Sequence, residues 1–154
     1  MGAALTVRVE PGARGLGRES RLVDERGALL GDRLSTSRAV LERHGADESF
    51  HAPSSPDAVA FARSTDEVIR IVKLCAKYKA PVIPYGTGTS LEGHIAALYG
   101  GVSLDLSEMT TIVEVNAEDL DCTVEAGVTR KQLNEYLRDT GLFFPVHPDP
   151  KSLP

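Results

Sequence analysis

The 154-residue chain carries 17 Lys and Arg against 22 Asp and Glu, a formal net charge of −5 at pH 7. With aromatic residues at 5% and no tryptophan, it lacks the basic density and the stacking rings that non-specific nucleic-acid binding needs, and that class is set aside. Hydrophobic residues at 42% and charged residues at 25% exclude a mostly disordered chain; the length suits one domain and is short for an enzyme holding both a large cofactor and a substrate, so an incomplete enzyme is expected.

Cys75 and Cys122 form neither a Cys-x-x-Cys pair nor a cluster with histidines, so no zinc site or disulfide framework is expected, and a reducing compartment is the default. No run approaches the ~18 apolar residues of a membrane span, and the first twenty residues lack an apolar signal core, so the expectation is a soluble protein. The opening Met-Gly-Ala-Ala-Leu-Thr formally fits a myristoylation pattern and is read as coincidence. Arginines at 8, 14, 18 and 21 are interspersed with Glu10, Glu19, Asp24 and Glu25, which spoils the acid-poor pattern of a transit peptide.

Residues 1–17, with Pro11 and glycines at 2, 12, 15 and 17, read as a frayed tail. From 21 to 44 apolar residues recur at roughly helical spacing, broken at Gly31 and at Ser35-Thr36-Ser37, where a new helix could be capped; this is a helical lead-in. Ala52-Pro53-Ser54-Ser55-Pro56-Asp57 reads as a linker, dividing a region 1–51 from a main domain 52–154. Val59-Ala60-Phe61 suits a buried strand. Ser64 and Glu67 have capping-box spacing, opening a helix to about Tyr78 with Val68, Ile71, Val72 and Cys75 as its apolar stripe. Val82-Ile83-Pro84 is a short strand that empties into a glycine-rich loop. Strands follow at 102–106, 111–115 and 122–126. Thr129 and Gln132 then cap a helix with Leu133, Tyr136 and Leu137 on one face and Gly141 just past its end. Because the later strands follow one another directly, the fold class is α+β rather than a doubly wound sheet.

The loop holds Gly86, Gly88 and Gly93 interleaved with Thr87, Thr89 and Ser90. Glycine lets backbone approach a ligand closely and takes positive φ, so successive N–H groups can converge on an anion while the hydroxyls add donors without charge. The spacing is not Gly-x-Gly-x-x-Gly, because Leu91 stands in the third glycine's place, and no Gly-Lys-Ser/Thr follows, so nicotinamide-Rossmann and P-loop readings lose weight. On chemistry alone, phosphate binding and a plain surface turn stay open.

Pro84-Tyr85-Gly86-Thr87-Gly88-Thr89-Ser90-Leu91-Glu92-Gly93, preceded by the Ser64-x-x-Glu67-Val68 helix and Pro81-Val82, and followed by Leu104-Asp105-Leu106-Ser107-x-Met109 and Val124-Glu125-Ala126-Gly127-Val128, resembles the FAD-linked oxidase family of vanillyl-alcohol oxidase type. The resemblance covers about 56–146 and is strongest to the branch that holds D-lactate dehydrogenase (cytochrome) and the flavin-binding component of glycolate oxidase. It implies a PCMH-type FAD-binding domain in which the loop wraps the FAD pyrophosphate, with cofactor contacts from Pro84, Tyr85, Gly86, Thr87, Gly88, Thr89, Ser90, Leu91, Gly93 and His94. His94 itself has three readings: a polar contact near the flavin, a covalent tether, and a solvated loop histidine, the last being the bland one. Covalently flavinylated relatives place their histidine where this chain has Thr89, so the resemblance implies dissociable FAD. His44 and His51 have no partner in the sequence and receive no role.

Leu142-Phe143-Phe144-Pro145-Val146 matches the family, whereas the residues after it depart from the usual continuation. The expectation is therefore roughly half a flavin domain, with no catalytic residue to name and no metal site. For the full enzyme the resemblance implies oxidation of a small 2-hydroxy acid by hydride transfer to flavin, reoxidation by a separate electron acceptor, and a cytoplasmic or membrane-peripheral location, mitochondrial in a eukaryote. Two alternatives stand beside it: a non-catalytic flavin-binding fragment, and a nucleotide-phosphate module without flavin selectivity. Exposed apolar faces are expected around Val113, Val115, Val124 and Phe143.

Overall fold

The computed structural model describes residues 30–145. The expected tail at 1–17, the lead-in from 21 to 29 and the stretch from 146 onward lie outside the described residues. In chain order the elements are β1 (Leu34–Ser35), α1 (Arg38–Arg43), β2 (Ala58–Phe61), α2 (Thr65–Tyr78), β3 (Val82–Tyr85), β4 (Val102–Asp105), β5 (Ile112–Asn116), β6 (Asp121–Val124) and α3 (Arg130–Leu137). Four strands form one sheet in the order β1-β2-β4-β3, with β4 parallel to both neighbours and β1 antiparallel to β2. β5 and β6 form a separate antiparallel hairpin, so helices and sheets mix as an α+β fold.

The lead-in is only partly helical. After a 3₁₀ turn at Gly31–Arg33, Leu34 and Ser35 pair with Ala60 and Val59, so this short stretch joins the main sheet across the linker. Pairing with the open edge of β2 overrides the local helical spacing there, as tertiary context commonly overrides propensity. The helix expected after Ser37 is present as α1.

α2 begins where Ser64 Oγ accepts the Glu67 N–H at 3.3 Å, as its spacing requires. The Glu67 carboxylate does not complete the box at Ser64. It accepts the Arg63 N–H at 2.8 Å and takes a two-pronged hydrogen bond from the Arg33 guanidinium at 2.6 and 2.7 Å, tying the lead-in to the helix. Ile71 and Cys75 are buried and Val68 packs beside them, while Val72 drops off the expected stripe onto the surface. The helix ends at Lys79, in the left-handed region (φ 53°), two residues before Pro81.

Period-two alternation at 102–106 would ordinarily mark a half-exposed strand. β4 is instead central and buried on both faces, so Ser103 and Asp105 lie inside along with Val102 and Leu104. One core joins Ala60, Ile71, Cys75, Val102, Leu104 and Met109; a second gathers Ile83, Tyr85, Ile95 and Ala97.

Candidate functional site

β3 and β4 run parallel and end side by side, with Tyr85 opposite Asp105 and the Leu106 N–H donating to the Tyr85 carbonyl at 3.0 Å. The loops that leave them therefore depart from the same carboxyl edge, where open parallel sheets hold ligands. Gly88 has φ +68°, and a Cβ there would sit 2.6 Å from the Tyr85 hydroxyl, so a side chain is excluded at this turn. At Gly86 the space around the backbone is open. Among the described residues nothing accepts a hydrogen bond from the backbone N–H groups of residues 86 to 90, and the Thr87 and Thr89 hydroxyls lie 3.0 Å apart beside them. A row of unpaired donors of this kind is what an anion-binding nest requires.

The first two of these residues, Gly86 and Thr87, border a cleft of about 510 Å³, within the ordinary range for small-molecule sites. Gly86 and Thr87 form one wall, Ser107 and Thr110 the base, and Ala126, Gly127, Val128, Thr129, Arg130 and Gln132 the other wall. The second wall is set by backbone contacts: the Gly127 N–H donates to the Met109 carbonyl at 2.8 Å, and the Glu125 N–H to the Thr111 carbonyl at 2.9 Å. The Thr111 hydroxyl and, after it, the Thr111 N–H at 2.8 Å hold the Glu125 carboxyl below the usual range. A Cβ on Gly127 would collide with the Leu106 carbonyl, so only glycine fits this approach. The expected capping box is complete in α3: Thr129 N–H donates to Gln132 Oε1 at 2.9 Å and Gln132 N–H to Thr129 Oγ1 at 3.3 Å. Arg130 is exposed at the first turn of α3 and pairs with no carboxylate among the described residues. A cation at a helix N-terminus opposes the helix dipole, an arrangement that an anion in the cleft would relieve.

Of the residues singled out from sequence, Gly86 and Thr87 line the cleft. Tyr85 is buried beneath the loop, and Gly88 rests on it. Pro84, Thr89, Leu91 and His94 are exposed, while the Ser90 hydroxyl accepts the Glu92 N–H at 3.3 Å. Gly93 has φ +68° and packs against the ring of His51. Ser107, Thr110 and the wall from 126 to 132 were not foreseen as site residues. Their motifs were legible, but small and hydroxyl side chains acting through backbone carry no chemical signature of their own.

His44 was missed altogether. It is 3% exposed, with Nε2 2.9 Å from Asp105 Oδ2, Nδ1 2.8 Å from the Val40 carbonyl, and its ring 4.1 Å from that of Tyr85. Among the described residues no group of His, Cys, Asp and Glu is arranged to hold a metal ion, and no helix is long and apolar enough to cross a membrane.

Comparison with known proteins adds three findings. Residues 56–152 match the family model described as FAD binding domain. Among curated proteins, "Probable D-lactate dehydrogenase, mitochondrial" of Danio rerio is 52% identical over 129 residues, covering 83% of this chain and 26% of that protein. "D-lactate dehydrogenase [cytochrome], mitochondrial" of Arabidopsis thaliana is 44% identical over 131 residues, covering 84% and 23%. Among solved structures, 4-ethylphenol oxidase from Gulosibacter chungangensis in its isoeugenol complex superposes with a TM-score of 0.75 at 25% identity, over 86% of this chain and 27% of that one. The chain thus spans about a quarter of the length of the curated relatives it matches.

Proposed function

The chain belongs to the FAD binding domain family, and on that premise we propose that the loop from 84 to 94 and the facing wall from 126 to 132 hold the FAD pyrophosphate in a flavoenzyme of D-lactate dehydrogenase type. The carrying observation is the row of N–H groups at 86 to 90, without acceptors among the described residues, whose first two residues line the 510 Å³ cleft. Such donors would hold phosphate oxygens by hydrogen bonds without adding charge. The open backbone at Gly86 leaves room for close approach, Thr87 and Thr89 can turn their hydroxyls to phosphate oxygens, and Arg130 supplies a cation from across the cleft. We assign 52–154 to the FAD-binding domain.

When bound, FAD supplies the hydride acceptor. For the whole enzyme we propose oxidation of a small 2-hydroxy acid, with the electrons passing on to a separate acceptor; both relatives' names support this chemistry and a mitochondrial location. Thr89 cannot serve as a histidine-type flavin tether, so acid precipitation should release the cofactor into the supernatant. The share of the relatives covered also supports a narrower reading, in which this polypeptide by itself binds flavin and does not turn over substrate.

Flavin fluorescence and calorimetric titration of the chain with FAD, FMN and ADP tests the site. Saturable binding with FAD preferred over FMN by about tenfold or more, about 1.4 kcal/mol, is expected, because FMN lacks the pyrophosphate. A folded chain that binds none of the three, or ADP as tightly as FAD, overturns the proposal.

A further inference from the structure

The segment around His44 touches both ends of the glycine loop. His44 closes the C-terminus of α1, and its Nδ1 faces the Val40 carbonyl, which only accepts, so Nδ1 carries a proton. Its Nε2 faces Oδ2 of Asp105, which is 4% exposed, and the other Asp105 oxygen accepts the Ser107 N–H at 2.8 Å. Nε2 and Oδ2 thus share one hydrogen bond across 61 residues of chain, the arrangement in which a doubly protonated imidazole and a carboxylate pair.

The ring lies on Tyr85, with centroids 4.1 Å apart, and the edge of Phe61 closes it from the other side at 5.8 Å. The Tyr85 hydroxyl lies directly under Gly88. His44 thus grips Asp105 and Tyr85, the paired last residues of β4 and β3, just before the chain enters Leu106 and Gly86. The same segment reaches the far end of the loop. His51 fills the space beside Gly93, Asp47 is held below the usual carboxylate range by Ser49 and in smaller part by the Gly93 N–H, and Ser54 binds Ala97 through both backbone and hydroxyl at 2.9 and 3.0 Å. A histidine that merely filled space would need no carboxylate here, since burying polar groups is costly unless they are bonded.

We propose that His44 is a positioning residue for the FAD site: bound as an imidazolium to Asp105, it holds Tyr85 under Gly88 and fixes the loop backbone of 86 to 90 beside the cleft. This rests on the FAD reading above, and the test separates the two. In the FAD-free 154-residue chain, ¹⁵N spectra at pH 7 should show both His44 ring nitrogens protonated. His44→Phe keeps a ring on Tyr85 and removes both hydrogen bonds. It should lower the backbone order parameters of 86 to 93 from about 0.85 to below about 0.6 while leaving those of α2 unchanged. It should also weaken FAD binding about tenfold. Asp105→Asn, which leaves a neutral hydrogen bond, should weaken binding about threefold.

A bare Nε2 in the wild-type chain, or His44→Phe with an ordered loop and FAD affinity within about twofold of wild type, overturns the proposal. Loss of order in α2 to the same degree as in the loop also overturns it, because that marks a general structural role. If His44→Phe does not melt cooperatively, Asp105→Asn decides by the same readouts, unchanged loop order and affinity counting against the proposal. A folded wild-type chain that fails to bind FAD overturns the reading of the site instead, while the loop-order measurement still decides the role of His44.

Discussion

In the four-stranded sheet and the helix α2 packed on it, Val59, Val102 and Ile71 are wholly buried, whereas in the hairpin that follows Val113 is 62% and Val124 36% exposed, with Phe143 beyond α3 at 73%. Val115, also expected on an apolar face, is only partly covered. The cleft lies between these two regions, so its walls differ in kind. The glycine-loop wall stands on two cores of its own, while the wall from 126 to 132 is placed by two backbone hydrogen bonds, a helix cap and a glycine pressed against carbonyls. Position is thus set by packing on one side and by backbone fit on the other, and apolar surface left on the second side is available for cover by another surface.

Truncating the first region should cost most. Ile71→Ala removes a wholly buried side chain from the main core and should destabilise by about 3 kcal/mol in chemical denaturation; a loss below about 1 kcal/mol would mean that this core is not the stabilising centre. Gly127→Ala tests the second wall. Its Cβ would meet the Leu106 carbonyl and lie 2.8 Å from that of Met109, so about 2 kcal/mol should be lost and FAD affinity should fall with it. Unchanged affinity would place the second wall outside the binding site.

Between these in character is the Arg33 to Glu67 link. Hydrogen bonds from Arg33, then the Arg63 N–H, hold the Glu67 carboxyl down at about 2 from its ordinary 4.5. A carboxyl lowered on folding stabilises above its unfolded value and loses that contribution as pH falls through the folded one, so the effect fades between pH 4.5 and 2. Because the pair is about one-fifth exposed, solvent screening reduces it to on the order of 1 kcal/mol. Glu67→Gln should flatten the stability profile across that window, and an unchanged profile would remove the link from the account. The smallest effect is expected on the hairpin surface, where Val113→Ser should change stability by less than about 0.5 kcal/mol while reducing self-association in light scattering. A large loss there would erase the contrast between the two regions.

Much of this was legible in the residues themselves. Ser64 and Thr129 mark helix starts through bonds that span three residues, and the structure places each at such a start, while Gly141 ends not α3 itself but the 3₁₀ turn Arg138–Thr140 that follows it. The glycine loop was readable because Gly88 and Gly93 answer a local need for positive φ. His44 was not, because a lone histidine at the end of a short helix shows nothing until Asp105 is folded against it. The polar alternation of Ser103 and Asp105 was misleading for the same reason, since burial on both faces of β4 depends on which strands flank it.

Sequence alone determined the helix caps, most strand segments and the glycine-rich turn, because each rests on hydrogen bonds, periodicity or spacing within a short stretch of chain, and its ordered motifs carried the family resemblance. Tertiary structure decided that β4 lies between β2 and β3, that the lead-in adds a strand and the buried His44–Asp105 hydrogen bond beneath the loop, and that residues 126 to 132 border the cleft. Those outcomes depend on contacts between residues far apart in the chain, whose ordering cost is met only when the whole sheet assembles, so no local pattern encodes them.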